Sequence, residues 1–244
     1  MSYPRDFYFQ ASSGEINGLT SINKFGSNAD IDTGSVPETV WSNGSEYTFA
    51  SSSGFISVVS SSNSDNSGGA GALIIKVQGL NEDYEKIEES FTMDGTSSVS
   101  SVSDKWLKVY RAFVVSAGST ESNVGTITIT LGALTLATIP AGESQTQMAI
   151  FAIPVNKKGY LTSITGSILR SGSNRSADLA LYQRVNGVKR RIYEFNIETT
   201  GSTTFTKNFK SPLVFNEKTD IYVNVVSVST NNTAVFASFS VILQ

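Results

Sequence analysis

From end to end the chain repeats one pattern: short runs of β-branched and aromatic residues, separated by Gly, Asn, Asp and Ser, with almost no apolar spacing of the helical period. Such runs fit strands joined by tight turns. Thr126 to Leu131 alternates polar and apolar residues, so one strand face can be buried while the other stays wet. Tyr222 to Val228 does nearly the same. The pattern predicts an all-β protein.

Residues 1–35 hold an aromatic patch, Phe7-Tyr8-Phe9, in otherwise loop-like sequence with little to form a core, and are expected to be an extended N-terminal arm. Residues 36–139 are expected to form a β-sandwich module, with strands near Tyr47–Ala50, Phe55–Ser60, Ala72–Gln78, Tyr84–Met93, Trp106–Ser116 and Thr126–Ile139. Within it, the Ser/Asn/Gly-rich stretch from Ser60 to Gly71 reads as a flexible exposed loop. Pro140-Ala141-Gly142 marks the expected boundary to a C-terminal jelly-roll-like β-sandwich over 140–244. There Asn186-Gly187 predicts a two-residue type I′ hairpin that pairs Val185 with Val188, Arg184 with Lys189 and Leu181 with Ile192.

Composition narrows the chemistry. With no cysteine, disulfides, thiolate metal sites and cysteine nucleophiles are excluded. With no histidine, the usual general base and the usual zinc ligand are missing, and so is any Ser-His-Asp triad. The formal net charge of −3 offers no basic excess for a run of phosphates, so no nucleic-acid partner is expected. The longest apolar run, Met148 to Val155, has eight residues and contains Pro154. A spanning helix needs about 20, so no membrane partner is expected.

Ser21-Ile22-Asn23-Lys24 matches Ser-x-x-Lys without its companion motifs. The glycine-rich stretch Ser67 to Gly71 runs into a strand and lacks the Gly-Lys-Ser/Thr of a phosphate loop. Asn28 to Gly34 has oxygen ligands at alternate positions, but Thr33 and Thr39 stand where an EF-hand needs glycine and glutamate, so a capped turn is expected. Glu85, Glu88 and Glu89 are the one carboxylate cluster open to glycosidase chemistry; their alternation along a strand suits a protected edge better. No catalytic residue, metal ligand or cofactor is therefore assigned. Trp41, Tyr47, Trp106, Tyr110, Tyr160, Tyr182 and Tyr193 are read mainly as packing, with a glycan-binding platform as the alternative.

Several segments together resemble a known family. They are Asp6 to Phe9, Lys24 to Thr33, Glu38 to Trp41, Asn43 to Tyr47, Gly69 to Ala72, Gln78 to Leu80, Glu88 to Thr96, Arg111 to Gly118 and Asn123 to Ile127. In that order they are similar to the N-terminal half of tailed-bacteriophage virion structural proteins, of the head decoration or cement type found in podovirus-type phages. The resemblance implies a non-enzymatic homo-oligomer, a trimer, that is assembled in the host bacterial cytoplasm. It also implies a place on the outer capsid surface, clamping the phage major capsid protein. On this reading the candidate subunit or capsid contacts are the arm aromatics Phe7, Tyr8, Phe9 and Phe25 and the basic hairpin tip Arg184, Lys189, Arg190 and Arg191. A tail or fibre component that binds a host-surface glycan is the alternative, and a carboxylate enzyme acting on polysaccharide the third.

Overall fold

A computed structural model describes residues 7–169, 175–200 and 203–244, with the Tyr8 side chain outside the described set. The chain is all-β apart from one short helix, α1 (Phe7–Ser13). The strands are β1 (Thr20–Ile31), β2 (Glu38–Thr39), β3 (Ile56–Ser60), β4 (Ala72–Asn81), β5 (Lys86–Thr92), β6 (Val99–Ser100), β7 (Trp106–Ala117) and β8 (Ile127–Leu131). They continue with β9 (Leu134–Ile139), β10 (Ile150–Ala152), β11 (Gly159–Ile168), β12 (Ser176–Val185), β13 (Val188–Glu198), β14 (Thr204–Phe215), β15 (Asp220–Val228) and β16 (Thr233–Leu243).

The strands form four antiparallel sheets. Two come from the middle of the chain, with orders β6-β3-β8-β9 and β5-β4-β7. Their inward side chains, among them Ile56, Val58, Ile75, Val77, Phe91, Trp106, Ile127 and Ile129, make one apolar core. The other two have orders β1-β16-β11-β14 and β10-β15-β12-β13, with β2 beside β15. Leu161, Ile164, Phe239 and Val241 of the first meet Leu179, Leu181, Val223 and Val225 of the second in another core.

The expected arm over 1–35 is corrected. Among the described residues of this stretch, α1, the turn after it and the turn at 32–35 lie outside the sheets; β1 runs antiparallel to β16 from Thr20 opposite Leu243 to Ile31 opposite Thr233. The arm expectation failed because β1 buries Lys24, Gly26 and Asn28 on its inward side and leaves Phe25 half-exposed on the outward side, so its pattern does not look amphipathic. The inward glycine is required: a Cβ on Gly26 would lie 2.3 Å from both the Ala149 amide nitrogen and the Val40 carbonyl oxygen. Asn28 donates to Glu38 Oε2 at 2.7 Å, and that oxygen also accepts the Ser45 amide at 3.1 Å. Residues 36–40 thus serve the C-terminal half too, with β2 registered on Asn224 and Val225.

The boundary at 140–142 is a turn, but it does not separate the two cores. Met148 and Ile150 point into the middle core, while Ala149, Phe151 and Ile153 point into the C-terminal one. The β10-β15-β12 sheet does the same with Ala180, Tyr182 and Tyr222 on one face and Leu179, Leu181 and Val223 on the other. One sheet therefore acts as a wall common to both cores. The wet face expected for Tyr222 to Val228 is corrected accordingly: Tyr222 and Asn224 are buried, Tyr222 against Phe49 and Asn224 against Thr39 and Glu46.

Two local expectations change as well. Tyr47–Ala50 is not a laddered strand; the Tyr47 amide is bound by Thr39 Oγ1 at 2.9 Å. The stretch from Ser60 to Gly71 is folded around the buried carboxylate of Asp65. That carboxylate accepts the amides of Ala72, Val124 and Gly125 at 2.8 Å each and the Ser60 hydroxyl at 2.6 Å. The hairpin has its type I′ signature, with φ of 50° at Asn186 and 81° at Gly187, and pairs Val185 with Val188 and Arg184 with Lys189. A bulge then sets Leu181 opposite Tyr193 instead of Ile192.

Candidate interaction surfaces

The charges expected at the hairpin tip are drawn inward. Lys189 pairs with Glu46 and lies 4.5 Å from the centre of the Tyr182 ring. Arg191 pairs with Glu194 at 2.6 Å and donates from Nε to the Tyr182 hydroxyl at 3.1 Å. Arg184 reaches Asp220, so the like-charged Arg184 and Lys189, neighbours in register, are pulled to opposite carboxylates. Arg190 is exposed, and among the described residues its side chain has no hydrogen bond or ion pair.

Asp220 is the centre of a buried charge group on the wall between the cores. Its Oδ2 takes Lys108 Nζ of β7 and Arg184 Nη1 of β12, both at 3.1 Å, while Oδ1 has no partner. The Phe49 ring lies between the cations, 4.9 Å from each. Burial raises the Asp220 carboxyl above its ordinary range, opposed by Lys108 and Arg184. Burial likewise lowers Lys108, opposed by Asp220. A triad of this kind costs desolvation on every member and fixes the register of the parts it joins.

The aromatic candidates divide. Phe7 and Phe9 stand on α1 at 50% and 62% exposure, while Ala11 packs inward. Phe25 stacks on Phe236 of β16, rings 6.3 Å apart, on the outer sheet face. The Tyr8 side chain lies outside the described residues. Of the possible glycan platform, Trp41, Tyr47, Trp106 and Tyr182 are buried. Tyr193 closes a cluster with Phe195, Phe205 and Phe209, and Tyr110 meets Phe151 edge-on at 5.3 Å. Tyr160 donates to Gln244 Oε1 at 3.0 Å.

The carboxylates and the calcium-like turn are occupied by their own neighbours. Glu88 takes Lys76 at 3.0 Å and Gln78 at 3.1 Å, Glu89 takes the Val102 amide, and Glu85 takes the Asn81 side chain. Asn28 Oδ1 accepts the Asp30 amide, and Asp32 Oδ1 accepts the Asn232 amide, as in a capped turn.

A cleft of about 520 Å³, not expected from the sequence reading, lies between β1 and the middle module. Its walls include Ser21 to Phe25 of β1 and Lys86 to Glu88 of β5, with Tyr110, Arg111 and Gln145 between. Lys24 is nearly enclosed and donates from Nζ to the Tyr110 carbonyl oxygen. Burial, with Arg111 adding to it, lowers Lys24 to about 7. Arg111 stacks on Phe113 at 4.6 Å and, like Lys86, has no ion pair among the described residues. A signal was present in the sequence: after Ile22 the inward positions of β1 turn to Lys24, Gly26 and Asn28, a polar and small run on a face that packs inward.

No protein-family model and no curated protein matches the chain. Among solved structures, that of infectious bursal disease virus, Gt strain, is matched at a TM-score of 0.13 and 10% identity over 99% of this chain and 83% of that one. The VP2 subviral particle of infectious bursal disease virus is matched at a TM-score of 0.10 and 12% identity, over 92% and 80% of the two chains. Likeness at this level assigns neither fold nor function.

Proposed function

We propose that the chain is a non-enzymatic structural component of a tailed-phage particle, a decoration or cement protein that self-associates and binds the major capsid protein on the outer head. The observation that supports the architectural part of the reading is the pair of strand orders β1-β16-β11-β14 and β10-β15-β12-β13. Set aside the short β2 and the middle module, and eight strands remain; the first and last are neighbours and successive strands alternate between the sheets except at the β12–β13 hairpin, an order that supports a jelly-roll reading. Jelly rolls serve viral shells and lectins alike. Fold does not dictate function, so the virion assignment rests on the motif resemblance over residues 6–127. On this reading the middle module is a sandwich-like insertion between the first and second jelly-roll strands.

The segments that carry the resemblance are architectural. Lys24 to Thr33 is β1 with its following turn, and Glu38 to Tyr47 holds the Asn28-binding carboxylate and the Trp41–Tyr47 edge contact at 4.8 Å. A part whose work is to hold a shell needs such rigidity, and a wall shared by two cores supplies it.

The test is cryo-electron microscopy of intact particles, with sedimentation velocity on the purified chain. Density for the chain on the head exterior and a defined oligomer in solution are expected. A strict monomer that no particle carries would overturn the reading. Truncation should remove residues 1–13 and not 1–35, because the longer cut takes away β1. The shorter one should leave the melting temperature within a few degrees and weaken self-association through loss of Phe7 and Phe9.

A further inference from the structure

The cleft beside β1 is bounded by two open strand edges. β1 ends the sheet β1-β16-β11-β14, and β5 ends the sheet β5-β4-β7. On the β1 side consecutive residues, Ser21 to Phe25, line the cleft; on the other, Lys86 to Glu88 of β5 are joined by Gln78 of β4 and Arg111 of β7, which stand in register with Glu88 across the sheet. Lining by consecutive residues means that the β1 backbone edge faces the space, since a strand face would contribute alternate residues only. Among the described residues, these two segments make main-chain hydrogen bonds only with β16 and β4. At Gly26 the backbone at Val40 and Ala149 lies against the inward face of β1.

The cleft is also charged on one side of the balance. Lys24, Lys86 and Arg111 line it, and the one carboxylate there, Glu88, is already engaged by Lys76 and Gln78. Open edges commonly carry charge that resists wrong pairing. Here the cations flank a space large enough for an added chain, and one of them is nearly enclosed. We infer that this cleft accepts an extended acidic segment of a neighbouring protein, which adds as a strand along β1 and sets its carboxylates against Lys24, Lys86 and Arg111. Main-chain bonds supply the affinity and the side-chain charges the choice of partner. The inference rests on the reading of the chain as an assembly protein and names the chemistry of one of its contacts.

Fluorescence anisotropy on the full chain tests it with three labelled hexapeptides: alternating Glu-Val, alternating Lys-Val, and the Glu-Val peptide with N-methylated backbone amides on the edge that would pair. Saturable binding of the first is expected, at least about tenfold tighter than the second, and lost in the third. Arg111→Ala and Lys86→Ala, both exposed, should each weaken it about fivefold, the size of one partly exposed ion pair, with the melting temperature unchanged. No saturable binding, equal binding of the acidic and basic peptides, or undiminished binding of the N-methylated peptide would each overturn the inference. If the peptides fail while the chain still attaches to particles, the cleft is wrong and the assembly role stands. If the acidic peptide binds but no particle carries the chain, the cleft stands and the role falls.

Discussion

Two groups of cations lie along the seam between the middle and C-terminal cores, and they have opposite fates. Lys108 and Arg184 close on Asp220 inside the wall, whereas Lys24, Lys86 and Arg111 line a cleft where no carboxylate is left to meet them. The first group is complete and belongs to stability; the second is incomplete and belongs to recognition. Burial alone does not separate them, since Lys24 is about as enclosed as Lys108. The presence or absence of a counter-charge does.

The comparison breaks most sharply at Asp220. Asp220→Ala leaves two cations without an anion at the wall and should cost about 3–5 kcal/mol, read by urea unfolding. Replacing the triad together, as Lys108→Met, Asp220→Leu and Arg184→Met, should cost much less than the single change, because an apolar wall needs no desolvation. A triple variant as unstable as Asp220→Ala would show that the triad contributes net energy beyond register.

Next in size is the inward glycine that lets β1 reach the seam. Gly26→Val drives a side chain into the backbone at Val40 and Ala149, which must move apart. A loss of about 1–3 kcal/mol is expected, as for overpacked cores, with hydrogen exchange rising first in β1. Unchanged exchange there would mean that β1 is not held down at this point.

Lys24 gives the third test. Its folded pKa of about 7 lies below the ordinary lysine value of 10.5, so between these values the unfolded chain holds a proton that the folded one has released. Stability should therefore rise with pH from about 7 to 10.5, and below 7 the folded state bears the full cost of the enclosed charge. Arg111, Lys86, Glu88 and Tyr110 face the same cleft, so the measured quantity is the difference from Lys24→Met. That variant should be the more stable at pH 6.5, and its advantage should shrink toward pH 10. A constant advantage across the window would place the proton elsewhere.

Much of the fold could be read from alternation and turn chemistry. The strands near Ala72, Trp106, Thr126 and Asp220 and the Asn186-Gly187 turn follow from rules that act within a few residues. What escaped was set by distant partners. β1 looked like an arm because its inward residues are Lys24, Gly26 and Asn28, which make sense only once Tyr110, Ala149 and Glu38 are beside them. The stretch around Asp65 looked like a linker because four of the groups that hold it lie on or against a carboxylate whose acceptors are used only after folding. The hairpin tip looked adhesive because Glu46, Glu194 and Asp220 are not visible as its partners from spacing alone.

The smallest predicted effect separates the tip from the cleft. Arg190 has no partner among the described residues, so Arg190→Ala should change stability by less than about 0.5 kcal/mol, as for an ordinary surface position. Lys189→Ala removes a partly exposed pair with Glu46 and should cost about 0.2–1 kcal/mol. Neither should alter binding of an acidic strand, because the tip has turned its other charges toward its own carboxylates and presents one cation where the cleft presents three. If Arg190→Ala weakens particle attachment as much as Arg111→Ala does, then a lone exposed charge can serve recognition as well as a cluster, and an uncompensated group of cations ceases to be the mark of a docking site in this molecule.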